Sequence, residues 1–209
     1  MTQSKTDQQK SLVTAADAGG LEALIARAAS AERGLPPVER WNPEFCGDLD
    51  MEIRADGTWF YLGTPIGRPA LVRLFSTVLR KDEDGRTYLV TPVEKVGIKV
   101  VDAPFVAVEV DVSQRNGQQI VTFRTNVGDV VEAGPDHPLR FVEEDKTGGL
   151  KPYVLVRGRL EALASRPVMY QLVEHGEEVE TAQGTMFALR SKGQIYPIMP
   201  TAQLRQLSL

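Results

Sequence analysis

Cysteine and histidine are nearly missing from this 209-residue chain. The single Cys46 cannot close an intramolecular disulfide, so nothing in the sequence asks for an oxidising compartment. The two histidines, His137 and His175, belong to no compact His/Cys ligand pattern. No run approaches the roughly 18 apolar residues of a membrane-spanning helix. The polar stretch 1–10 lacks the apolar segment of a secretory signal. Positive charge is not in excess either: 24 Lys and Arg face 28 Asp and Glu, for a net charge of −4. Broad nucleic-acid binding needs a basic surface that displaces counterions, and that surface is lacking. The expectation is a cytoplasmic protein with no metal, no cofactor, no nucleic-acid partner and no membrane association.

Two phosphate-binding signatures are missing as well. A P-loop needs Gly-x-x-x-x-Gly-Lys-Ser/Thr between strand and helix, which neither Gly63-Thr64-Pro65 nor the pair Gly148-Gly149 supplies. The Gly-x-Gly-x-x-Gly dinucleotide fingerprint is also missing. A nucleotide bound here would be held without either common cradle.

What is present is ordinary globular material, 42% hydrophobic and 25% charged. Residues 1–16 read as a polar tail. Leu21, Leu24, Ile25 and Ala28 then form a helical stripe that ends near Gly34. Segments 51–55 and 58–62 flank Asp56-Gly57, a pair suited to a type I′ hairpin turn. Pro69 opens a helix expected to reach Arg80, with Leu71, Leu74, Phe75 and Val78 inward. Strands follow at 86–91 and 95–101, and 105–112 with 118–124 read as a hairpin across Asn116-Gly117. The second half reads as strands at 139–143 and 153–160, a turn at 146–149, a helix at 167–174, and strands at 185–190 and 194–199.

Arg68-Pro69 and Arg166-Pro167 introduce the two helices, and one ungapped offset aligns Leu74 with Leu172 and Ile98 with Tyr196. The shared order of hairpin, Arg-Pro, helix and hairpin points to an α+β fold made by tandem duplication of a small antiparallel sheet plus helix. The expected domains are 1–39 as flexible tail and N-terminal helix, 40–112 as the first α+β repeat and 113–209 as the second.

Cys46-Gly47, Asp56-Gly-Thr-Trp-Phe-Tyr61, Gly63-Thr-Pro-Ile66 with Arg68, Thr91-Pro-Val-Glu94, Asp102-Ala-Pro-Phe105, Thr125-Asn126, His137-Pro-Leu-Arg140 and Pro152-Tyr153 follow one another in this chain. In that order, from Trp41 to Met199, they resemble the bacterial domain-of-unknown-function family 1285. The resemblance implies a duplicated α+β core whose C-terminal half is loosely pleckstrin-homology-like. It also implies a site at the domain interface, a nucleotide-type ligand and a role in signal transduction.

The residues themselves mark one polar cluster. Lys151, Arg157, Arg159 and Arg166 lie against a single acid, Glu161, between 150 and 166. Asn126, His137, Arg140, Lys151, Tyr153 and Arg157 are the expected ligand-binding residues, with Arg68 and Arg166 as further candidate anion contacts ahead of helix N-termini. Guanidinium groups match phosphate and an aromatic ring stacks on a base, so the chemistry suits an anionic, planar ligand. The plainer reading is a row of arginines on the wet face of one antiparallel strand. His137 beside Asp136 reads as a turn or pocket residue rather than a metal ligand. Cys46 reads as a small buried or turn residue rather than a nucleophile served by His137. Trp59 and Phe60, adjacent strand residues facing opposite sides of a hairpin, read as core. The leading expectation is a non-enzymatic ligand-binding or sensory protein, with a signalling partner. The alternatives are a protein–protein adaptor and a hydrolase using Cys46 or His137.

Overall fold

Short apolar runs broken by glycine-containing turns make this mostly a chain of strands. The computed structural model describes residues 35–144, 149–182 and 184–207. The expected tail and helix up to residue 34, and most of the turn at 146–149, lie outside the described residues. The chain divides into two compact units, the first comprising Met1–Ile53 and Thr58–Val100, the second Arg54–Gly57 and Val101–Leu209.

In the first unit a 3-10 turn, Val38–Arg40, precedes β1 (Phe45–Ile53), β2 (Trp59–Tyr61), β3 (Thr64–Pro65), α1 (Pro69–Thr77), β4 (Leu79–Lys81), β5 (Thr87–Val90) and β6 (Lys95–Val100). They form one six-stranded sheet in the order β3-β2-β1-β6-β5-β4, antiparallel except for the central β1–β6 pair. Ile53 pairs with Trp59, so the hairpin forms with residues 54–58 as its loop. The expected type I′ turn does not: it needs two positive φ angles, and of Asp56-Gly57 only Gly57 has one (+81°). At Asn116-Gly117 both are positive, +53° and +75°.

Pro69 occupies the first turn of α1 as expected. Phe75 is buried on its inner face, stacked on the buried Trp59 at 6.2 Å. The helix stops at Thr77 rather than Arg80, because Leu79 pairs with Leu89 and draws the chain into β4. Ser76 and Thr77 each donate a hydroxyl hydrogen bond back to the last turn, both at 2.7 Å. Leaving the helix buries Arg80, only 7% exposed, against backbone that has no partner in the sheet. Its guanidinium donates to the carbonyls of Val38 (2.9 Å) and Trp41 (2.6 Å) and to Asp82 (2.6 and 3.2 Å).

In the second unit the described strands are β7 (Phe105–Arg115), β8 (Gln118–Thr125), β9 (Val130–Glu132), β10 (Leu139–Glu143), β11 (Leu150–Arg157) and β12 (Leu160–Ala164). There follow α2 (Arg166–Glu174), β13 (Glu177–Thr181), β14 (Gly184–Ser191), β15 (Gln194–Pro200) and α3 (Thr201–Leu207). The six-stranded sheet β10-β11-β12-β7-β8-β9 again has a single parallel pair, β12–β7, at its centre. A three-stranded sheet, β13-β14-β15, is pinned to it by the buried Ser191. That hydroxyl accepts from the N–H of Val121 (3.0 Å) and donates to the carbonyl of Ala133 (2.7 Å).

Two boundaries differ from expectation. The unit division falls at Val100 and Val101, not at 112, because residue 112 lies inside β7, which bonds β12 on one side and β8 on the other. Residues 153–160 are not one strand, since the chain turns at Gly158-Arg159 and returns as β12. The fold is thus mostly β with few helices, in two units. The order of three strands, helix and three strands occurs at β1–β6 and again at β10–β15, but the pairing does not follow it, since β13–β15 form a sheet of their own. The sheet that matches the first in strand order and pairing sense is β7–β12. No helix among the described residues is long and apolar enough to cross a membrane.

Removing a buried charged partner that satisfies backbone carbonyls costs about 3 kcal/mol. Arg80→Ala is therefore expected to lower the urea midpoint of the first unit strongly. An unchanged midpoint would show that the guanidinium is not what holds the segment 38–41 to the sheet.

Candidate functional site

Antiparallel partners point to one face of a sheet, so register decides which of the expected residues meet. Arg140 lies opposite Tyr153, which lies opposite Leu163, and Lys151 is two residues along the same strand. Arg140, Tyr153 and Lys151 therefore share a face. Asp102, just ahead of β7, joins them: its carboxylate accepts from the Tyr153 hydroxyl at 2.7 Å and from the Lys151 ammonium at 3.1 Å. Lys151 also reaches Glu144 at 3.1 Å. The Arg140 guanidinium lies over the Tyr153 ring, 4.1 Å from its centre, and holds Glu161 through two bonds of 2.7 Å.

Arg157 does not join this group. Leu155 faces Glu161 but Arg157 faces Leu160, and residues 160 and 161 point to opposite sides. The bulge between Leu155 and Arg157 thus turns the arginine to the other face. There its guanidinium lies 4.7 Å from the centre of the Phe105 ring and donates to Asp129 at 2.5 Å, both side chains being 19% exposed. The expected six-residue group is therefore split by face. The plain reading of alternating arginines on one strand fails for the same reason, with Arg159 in the turn.

The remaining expected residues hold backbone. Asn126 is exposed; its Oδ1 accepts from the Val106 N–H at 3.0 Å, and its own N–H donates to the Val106 carbonyl at 2.8 Å. A Cβ on Gly57 would meet the Asn126 amide at 2.8 Å, so glycine is required there by space as well as by φ. His137 is half-buried with Nδ1 3.0 Å from the Leu155 carbonyl. Arg68 caps α1 in the first unit, and Arg166 is the first residue of α2; both are exposed. Cys46 is exposed on β1 rather than buried or in a turn, and its thiol points to the Glu44 carbonyl at 3.4 Å.

Asp102 and Glu144 are the members that residue-level reading did not single out, and Glu161 entered it only as the one acid between 150 and 166. Asp102 lies 51 residues from Tyr153, and only its place in the Asp102-Ala-Pro-Phe105 motif marked it. Hydrogen bonds to Asp102 and Glu144 hold the Lys151 ammonium well above the usual lysine value. Burial, with the Asp102 bond second, pushes the Tyr153 phenol up to about 12. Both groups keep their protons at neutral pH. The arrangement is suited to holding and orienting.

Fold and site together define a two-unit, mostly β protein that presents a charge-paired polar network on the sheet of its second unit. The N-terminal domain of the domain-of-unknown-function family DUF1285 matches residues 36–103, and the C-terminal domain of that family matches residues 104–198. The chain belongs to the DUF1285 family. Among solved structures, a DUF1285 family protein from Silicibacter pomeroyi DSS-3 is 50% identical, with a TM-score of 0.79, over 87% of this chain and 97% of the other. A DUF1285 family protein from Shewanella baltica OS155 is 26% identical over 60% of this chain and 91% of its own, with a TM-score of 0.48. No curated protein is significantly similar to the chain.

Two substitutions test these assignments. Tyr153→Phe removes a hydrogen bond to a carboxylate and is expected to cost about 1.5 kcal/mol. The folded-state phenol ionises above the unfolded value of 10, so its contribution is whole below pH 10 and is lost as pH rises towards 12. The variant should therefore show a shallower loss of stability across that window, in unfolding curves recorded at several pH values. Cys46→Ala should change stability by less than about 0.5 kcal/mol, as for other surface positions. A larger loss would mean that the thiol contact to Glu44 is structural.

Proposed function

We propose that the protein is a non-enzymatic ligand-binding or sensory module, and that an anionic, nucleotide-like small molecule binds at Arg140 and Lys151 over Tyr153. The observation that carries the reading is the Arg140–Tyr153 stack beside Lys151, with the two cationic side chains 49% and 34% exposed. The Tyr153 ring is covered by Arg140, so the surface offered to a planar base is the outer face of the guanidinium, which stacks as an aromatic ring does. The ligand's anionic group would displace Glu144 and Glu161 from their cations. Asp102 stays in place beneath as the fixed anchor. Asn126, His137 and Arg157 support the sheet in this reading and do not touch the ligand.

One observation favours a second reading, a protein–protein adaptor. Arg140, Lys151 and Arg157 already carry carboxylates, and β9 and β13 are edge strands open to strand addition. Signal transduction, a signalling partner and a cytoplasmic location belong to the proposal too, the last supported by the single cysteine. So does a tandem duplication. The matching strand orders of β1–β6 and β7–β12 support it in a register different from the one the two Arg-Pro helices imply. The pleckstrin-homology-like character of the second half rests on its two sheets followed by α3.

Thermal unfolding against nucleotides, dinucleotides and cyclic dinucleotides tests the ligand reading, since native-state binding raises stability by about 2.7 kcal/mol at a hundredfold excess over Kd. At least one compound should stabilise the protein. Its affinity should fall about tenfold in Arg140→Ala or Lys151→Ala, the worth of one charge-assisted bond, and hold in the control Arg159→Ala. If no anionic compound stabilises the protein, the ligand reading falls and the adaptor reading replaces it.

A further inference from the structure

One hairpin tip of the first unit holds an apolar residue in a backbone conformation that does not suit it. Among the described residues, three two-residue turns join antiparallel partners with both φ angles positive: Leu62-Gly63, Asn116-Gly117 and Lys192-Gly193. The left-handed region is strained for most side chains, and asparagine eases it by bonding locally. Leu62, at φ +49° and 40% exposed, has neither that relief nor full burial. Strain kept at an exposed position points to a contact made there.

The chain that follows the tip is free of acid. No Asp or Glu occurs between Asp56 and Asp82, although acids outnumber bases in the whole sequence. Residues 62–65 are exposed, and so are Pro69, Ala70 and Arg73, which share the outer face of α1. Phe75 anchors the opposite face on Trp59. Arg68, between tip and helix, is exposed too, and among the described residues neither it nor Arg73 makes an ion pair. On β1, Glu52 lies opposite Phe60, so it points away from the side of the sheet that carries Trp59 and α1. Asp50, two residues along, does the same.

These features narrow the occupant. β3 is an edge strand, but Ile66 donates to the Trp59 carbonyl at 2.8 Å, so Pro65 turns its backbone outward. Proline has no N–H to give, and strand addition is blocked there. A second copy docked by the same face would set unpaired arginines against each other. An acidic protein would need a pocket matched to Leu62, whereas a bilayer needs none. There an apolar tip enters the headgroup layer and guanidinium groups meet phosphate. Cytoplasmic leaflets carry the anionic lipids required. The lack of a spanning run argued against membrane association, yet lying against headgroups needs no such run.

We propose that the Leu62 tip and the outer face of α1 make a peripheral contact with anionic phospholipid membranes, Leu62 inserting and Arg68 and Arg73 pairing with headgroup phosphates. Sedimentation of the full chain with vesicles at low ionic strength tests this. The protein should pellet with vesicles of equal parts phosphatidylcholine and phosphatidylglycerol but not with phosphatidylcholine alone, and added salt should release it. Each basic residue near an anionic leaflet is worth roughly fivefold in affinity, so Arg68→Gln/Arg73→Gln should bind about twentyfold more weakly. In Leu62→Asn the new residue suits the left-handed turn, so the melting temperature should hold or rise. Vesicle binding of that variant should nevertheless fall by about tenfold, because the inserting side chain is gone. The proposal is overturned if the mixed vesicles leave the protein in solution, which would make an acidic protein surface the occupant. It is equally overturned if both vesicle types pellet the protein alike, or if either variant binds as the wild type does.

Discussion

Each six-stranded sheet hangs on one parallel strand pair at its centre, β1 with β6 and β12 with β7. Parallel neighbours cannot be joined by a tight turn, so their partners must come from far apart in the chain. In both units the solution is the same. A meander of three antiparallel strands is laid down, a second meander follows, and the first strand of one meets the last strand of the other. The helix α1 carries the chain between meanders in the first sheet, whereas in the second the chain passes from β9 to β10 without one. Everything at the edge of these sheets is local and everything at the centre is long-range.

The polar network of the second unit follows from that central pair. Pairing Phe105 with Ala162 and Val106 with Leu163 fixes where β7 begins, and so brings the preceding Asp102 within reach of Tyr153 and Lys151. Around it three carboxylates, Asp102, Glu144 and Glu161, face two cations, Lys151 and Arg140. With one more carboxylate than cations this surface gives an anion no long-range attraction, and selects a ligand by exchange of partners more than by net charge.

Arg80 and Arg157 show how the same residue type comes to do structural work. Arg80 leaves a helix for an edge strand and spends its guanidinium on two backbone carbonyls and a carboxylate. At Asp82 burial raises the carboxyl's proton affinity, yet the hydrogen bonds from Arg80 and Lys95 leave it below the ordinary aspartate value. Arg157 is turned by a bulge onto the face that carries Phe105, and Asp129 takes its charge. A guanidinium that has lost most of its water keeps its place only where such acceptors are already positioned.

What the sequence by itself determined is whatever depends on neighbours in the chain. The hairpin across Asn116-Gly117, the helix opened by Pro69, the buried Trp59 and the strand-rich second half are of this kind, because turn chemistry and apolar periodicity act over a few residues. The family was legible too, as a series of short motifs in one order, and Asp102 stood in one of them without its partners being visible. Tertiary structure alone decided where α1 stops, since the pairing of Leu79 with Leu89 outweighed another helical turn. It also decided that residue 112 lies mid-strand, that β13–β15 form a separate sheet, and which cations share a face. One bulge moved Arg157 away from Tyr153, although the sequence places both on the same strand. Local propensity carries no information on register, and in a sheet a shift of one residue exchanges the two faces.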